Sequence, residues 1–195
     1  MKTSDSDIRA ALHSGLLAPY HADPDAVVID EMGLDYGTNR VDIAVVNGSL
    51  HGYEIKSDRD TLVRLRDQVA AYKGIFDRLT VVCGPRYADR VKDMLPSWIE
   101  VRSATLDENG NMQFPSVRRG SKNRSPNPVS LARLLWREEA VSLLQSKGIT
   151  RGLSRANKYE LCLRIAAETS KDDLQAFVRQ CLKNRARLQA VAQQM

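Results

Sequence analysis

Cysteine is scarce in this chain, three among 195 residues, and Cys83, Cys162 and Cys181 fall at spacings that suit neither a disulfide framework nor a metal knuckle. Reduced intracellular thiols are the expectation, with Cys83 inside a core strand. Histidine is as sparse, three scattered residues. His51 reads as an exposed strand residue, and no zinc motif is visible. No apolar run approaches the roughly 20 residues needed to span a bilayer, and the N-terminus lacks a signal-peptide core. These absences point to a cytoplasmic protein without membrane contact. There is no internal repeat and no heptad run long enough for a coiled coil.

Charge is plentiful and unevenly placed. Up to Pro115 there are 13 Lys and Arg against 18 Asp and Glu; from Ser116 onward there are 16 against 6. An acidic front and a strongly basic rear suggest that the rear attracts a phosphate backbone which the front engages by chemistry. No helix-turn-helix element stands out, so sequence-specific readout is not expected.

The chemistry concentrates between Arg40 and Asp58. Residues 39–46 and 50–56 alternate in the period of β-strands, and Asn47-Gly48 between them is a hairpin signal, since both residues tolerate positive φ. Closing that hairpin between residues 46 and 50 sets Asp42 opposite Glu54, at a Cβ separation of about 5 Å. Lys56 shares their face. Like charges on a half-buried sheet are costly unless a cation neutralises them, and oxygen donors of this number suit Mg²⁺ or Mn²⁺ together with phosphate oxygens and water. Phosphodiester hydrolysis is the matching reaction.

These residues resemble the PD-(D/E)XK nuclease superfamily in its RecB-like form. Asp42, Glu54-Ile55-Lys56 and, on the next helix, Gln68-Val-Ala-Ala-Tyr72 stand in the order of its Asp, Glu-x-Lys and QxxxY elements. Val41 replaces the usual proline before the Asp. The resemblance covers about residues 5–103 and fits a small stand-alone bacterial or prophage protein. It implies a restriction-endonuclease-like αβββαβ core with a mixed sheet. Carried over, Asp42, Glu54 and the Ile55 carbonyl would hold the metal, and Lys56 would orient water or offset phosphate charge. Gln68 and Tyr72 would complete the site on one helix face with Arg64. Superfamily members often add an upstream acid, for which Glu31 is the candidate and the adjacent Asp30, pointing to the other face, is not. Arg40 would pair with Glu31 or touch phosphate.

The remaining elements follow from periodicity. Helix is expected over 5–17 after Ser4 and Ser6, strand over 26–33, and helix over 59–74 with Asp58 and Asp60 favouring its start. Strand 79–83, helix 86–95 and strand 98–102 complete an α/β unit spanning 1–115. Ser116 to Pro128 carries Arg118, Arg119, Lys122 and Arg124 with no acid, and reads as a basic linker or loop that binds nucleic acid. Helices at 129–146, 157–169 and 171–192, with Asn157 and Ser170 as caps, form a basic helical subdomain over 129–195. The expected function is a metal-dependent nuclease acting on nucleic acid, DNA first, as monomer, homodimer or through a partner held by the tail. The alternative is a non-catalytic binding or adaptor protein of the same fold, and truncation after Pro115 would separate the two.

Overall fold

The computed structural model describes residues 3–193. It is an α/β protein. Its six-stranded mixed sheet is built from β1 (Val27–Leu34), β2 (Asn39–Val46), β3 (Leu50–Lys56), β4 (Arg78–Cys83), β5 (Glu100–Ser103) and, beyond the two-stranded hairpin of β6 (Thr105–Leu106) and β7 (Met112–Gln113), β8 (Ser116–Arg118). The sheet runs β1-β2-β3-β4-β5-β8. The first three strands and the β5–β8 pair are antiparallel, whereas β3, β4 and β5 are parallel.

Alternation divides the strands between two apolar layers. Ile43, Val45, Tyr53, Ile55 and Val82 pack with Ile8, Leu12 and Leu17, which come from α1 (Asp5–Ser14) and the segment leading into α2 (Ala18–Ala22). Ala44, Val46, Leu50, Leu79, Val81 and Val101 face the other way. There they meet α3 (Leu65–Lys73), α4 (Ala88–Met94) and the helices of the rear: α5 (Pro128–Ala132), α6 (Arg137–Ser146), α7 (Lys158–Glu168) and α8 (Lys171–Gln193). Leu131, Leu144, Ile165 and Leu174 belong to the same apolar cluster as the sheet residues. The expected division at Pro115 therefore falls within one continuous core.

Several local expectations are corrected. Asn47 and Gly48 are not among the positive-φ residues; the turn is held instead by the Asn47 side chain, which accepts the Ser49 N–H at 2.9 Å. The helix expected from residue 59 begins at Leu65. Asp60 turns back to accept the Ser57 N–H and hydroxyl at 2.7 and 2.6 Å, and Asp58 accepts from Thr3, so neither caps that helix. The expected helix 129–146 breaks between Ala132 and Arg137. Residues 116–118 are edge strand rather than linker. Ser4, Asn157 and Ser170 accept backbone N–H groups as helix caps.

Candidate active site

The hairpin register places the acids. Val46 pairs with Leu50 and Ile43 with Tyr53, so the next positions are Asp42 and Glu54. The ladder stops there, and the Asp42 carboxylate accepts the Ile55 N–H at 2.6 Å in place of a backbone partner. Glu54 is 1% exposed. One of its oxygens accepts from Lys56 Nζ and from Gln68 Nε2 at 2.6 Å; the other accepts from the Tyr72 hydroxyl at 2.7 Å. Gln68 and Tyr72 reach the same carboxylate because they stand one turn apart on α3. Tyr72 also lies 2.7 Å from the Arg40 carbonyl, so its single proton is shared between strands β2 and β3.

Electrostatics follow from burial. Desolvation, reinforced by the neighbouring Glu54 charge, pushes the Asp42 carboxyl up to about 7 against the opposing pull of the Ile55 N–H and Lys56. The Tyr72 hydroxyl is raised well above its ordinary value by burial and by Glu54; it stays protonated, donates to Glu54 and accepts from Gln68 Nε2 at 3.5 Å.

Arg9 is the residue that sequence reasoning missed. From α1 its guanidinium donates to the Asp42 carbonyl at 2.7 Å and to Glu31 at 2.6 Å, and it stands 3.4 Å from both Asp5 and Asp42. Arg40 holds the second oxygen of Glu31 at 2.9 Å. The signal was present: between residues 3 and 39, which carry seven acids, Arg9 is the only Lys or Arg.

Asp42, Glu54, Ile55, Lys56, Gln68, Glu31, Arg40 and Arg64 line one cleft of about 770 Å³. Tyr72 lies beneath it. The basic residues of 116–124 are elsewhere. Arg119 lines a smaller cavity with His51 and Arg78, at the start of β3, whereas the cleft opens at its end, roughly 16 Å along the strand. Lys122 and Arg124 border a separate hollow beside Lys73 and Trp98. Arg118 donates to the carbonyls of Lys92, Leu95, Pro96 and Ile99, an engagement that fastens it to the end of α4 and the entry to β5, away from the cleft. His51 is not an exposed strand residue: it stacks on Tyr53 at 4.3 Å and bonds Thr80 at 2.8 Å.

A model of the bacteriophage P4 protein cII family matches residues 2–193. The chain belongs to that family. Protein cII of Enterobacteria phage P4 is 32% identical over 162 residues, covering 83% of this chain and 60% of the phage protein. This family member thus spans well under two thirds of its phage relative. Among solved structures, SPO1766, a protein of unknown function from Silicibacter pomeroyi, aligns with a TM-score of 0.40 at 19% identity, over 58% of this chain and 72% of that one.

Among the described residues, no three His, Cys, Asp or Glu side chains converge as a ready metal cage, and no helix is long and apolar enough to cross a membrane. The donors present still suit a hard cation. Mg²⁺ takes only one or two carboxylates from a protein and fills its shell with water and substrate oxygens. Asp42 and Glu54 could supply those two, and the buried Gln68 Oε1 beside them has no hydrogen-bond partner, an acceptor suited to an ordered water.

Proposed function

We propose that this chain is a divalent-metal-dependent nuclease with a PD-(D/E)XK-type core, hydrolysing phosphodiester bonds in nucleic acid, DNA in the first instance. The observation that carries the reading is the Asp42–Glu54 pair: two adjacent carboxylates, one buried, ringed by Lys56, Gln68 and Tyr72 at the base of an open polar cleft. A buried acid gripped by three donors costs desolvation energy that apolar packing would avoid, so the arrangement is better suited to chemistry than to stability.

In this reading Asp42, Glu54 and the Ile55 carbonyl hold Mg²⁺ or Mn²⁺. When bound, the ion supplies Lewis-acid stabilisation of the attacked phosphate and lowers the pKa of water. The chain's own groups do the positioning. Lys56, anchored on Glu54, presents a fixed cation where negative charge accumulates on the phosphate oxygens. Gln68 and Tyr72 fix the Glu54 rotamer. Arg40 and Arg64, at the cleft rim, offer contacts for the flanking phosphates.

A second reading, a nucleic-acid-binding or adaptor protein of the same architecture that does not cut, draws on Arg9, whose guanidinium already neutralises Glu31 and Asp42. Cleavage of a labelled panel of single-stranded, duplex, branched and RNA substrates with Mg²⁺, Mn²⁺ or EDTA, beside Glu54→Gln, decides between them. Metal-dependent cutting lost in the variant supports the nuclease; tight salt-sensitive binding without cutting supports the second reading.

A further inference from the structure

We propose that Tyr36 is a stacking platform for an unpaired base of the nucleic-acid strand held in the cleft. This deepens the nuclease reading and rests on its placement of the substrate, though not on cleavage itself.

The β1–β2 turn carries three consecutive positive φ angles: Asp35 at 45°, Tyr36 at 61° and Gly37 at 90°. Glycine adopts that region freely, but an aspartate and a tyrosine there are strained. The surroundings hold them in place. Arg133 of α5 pairs with Asp35 at 2.7 Å, Lys158 of α7 sits 4.4 Å from the centre of the Tyr36 ring, and the Tyr36 hydroxyl meets Cys162 at 3.6 Å. The result is a tyrosine 47% exposed on a strained turn. An exposed tyrosine needs no such fixing for the sake of the core.

Position gives the ring its use. Gly37, Thr38 and Asn39, which follow Tyr36 directly, form a wall of the cleft. Asn39 to Asp42 is three residues of strand, about 10 Å, and Tyr36 stands three residues before Asn39 at the outer side of that wall, so a strand with a phosphate at Asp42 and Glu54 reaches toward Tyr36 with nucleotides a few positions away. Lys158 and Arg133 stand over the ring, 4.4 and 5.8 Å from its centre, the combination of fixed aromatic and cations that single-stranded nucleic acid uses, with a base stacking on the ring surface they leave open. Duplex bases are already stacked and gain nothing from the platform. The substrate class that follows is a single strand, or a duplex with unpaired nucleotides next to the scissile bond.

The test is binding of the full chain to fluorescent single-stranded and duplex oligonucleotides in EDTA, with wild type, Tyr36→Phe and Tyr36→Leu. Tyr36→Leu should bind single strand roughly tenfold more weakly, as expected for one lost stack, while Tyr36→Phe and all duplex affinities stay near wild type. An oligonucleotide bearing 5-iodouracil should photo-crosslink to Tyr36. Equal weakening for both substrates, an unaltered Tyr36→Leu, no single-strand binding by wild type, or crosslinking that maps elsewhere would each overturn the platform. Because no metal or cutting is involved, a wild type that binds as expected but never cleaves would defeat the nuclease reading and leave this one standing.

Discussion

The Asp42 carboxylate accepts the Ile55 N–H at 2.6 Å where the β2–β3 ladder ends, which fastens an acid beside Glu54 in a place where ionisation is unfavourable. With its titration raised to about 7, Asp42 binds a proton in the folded protein between roughly pH 4 and 7 that the unfolded chain has already released. The folded state therefore loses stability as pH rises through that window. Asp42→Asn keeps an acceptor for Ile55 and removes the charge. The variant should match wild type near pH 4 and exceed it at pH 8 by on the order of 4 kcal/mol, since the carboxyl is displaced by about three pH units and each corresponds to about 1.4 kcal/mol. Thermal melts from pH 4 to 8.5 without metal would read this, and a constant offset across the range would contradict it.

A cation competes with that proton, so the stabilisation by Mn²⁺ should grow with pH up to about 7 and then level off. Melting curves with excess Mn²⁺ should shift little at pH 5 and clearly at pH 8. The same shift in Asp42→Asn, or one that ignores pH, would mean that the ion binds elsewhere.

Arg9 is the internal counter-ion of the metal-free site, within 3.4 Å of Asp5, Glu31 and Asp42. Arg9→Gln leaves those acids to repel one another. It should lower metal-free stability by about 1–3 kcal/mol, the range for stranding polar partners, and should increase the stabilisation that Mn²⁺ provides. A variant that loses stability without responding more strongly to the ion would assign Arg9 to packing alone.

How far these features were legible depends on how local their causes are. The Asp42–Glu54 pairing follows from a period of two and a short turn, and Gln68 with Tyr72 from one helical turn, so both could be read along the chain. The succession of strands along the chain up to β5 was legible for the same reason. Arg9 was visible as a lone cation among acids but its pairing was not, because its partner Asp42 is 33 residues away and only the docking of α1 on the sheet brings them together. The start of α3 was misplaced because Asp60 bonds Ser57, three residues back, rather than the helix ahead. The basic run at 116–124 looked like a solvated linker because composition records charge but not acceptors, and the acceptors of Arg118 are carbonyls at the end of α4 and the entry to β5.

Tyr72→Phe removes the hydroxyl that spans Glu54 and the Arg40 carbonyl while keeping the ring, whose edge-on contact with Phe76 at 5.8 Å stays intact. Groups that orient a ligand from behind typically cost 10–100-fold in activity or metal affinity when lost. Turnover should fall by about that range with the substrate KM little changed. A rise in KM at constant kcat would place Tyr72 in substrate binding instead.

Arg118 separates structural from electrostatic use of the basic rear. Its guanidinium serves four backbone carbonyls at the junction of α4, β5 and β8. Arg118→Ala should cost about 2–4 kcal/mol, given 1.5–3 kcal/mol for hydrogen bonds to charged groups. Arg118→Lys should recover only part of this, since an ammonium cannot reproduce the fork. Arg40→Ala, at an exposed cleft rim, should leave stability within about 0.5 kcal/mol and weaken nucleic-acid binding with a shallower salt dependence. The same core argument governs truncation. Removing everything after Pro115 strips β8 from the sheet edge and uncovers Ala44 and Val46, so the fragment should aggregate or melt without cooperativity rather than persist as a weakened nuclease. Circular dichroism melts of the fragment beside the full chain would show which. A cooperative transition in the fragment would mean that the front half carries a core of its own.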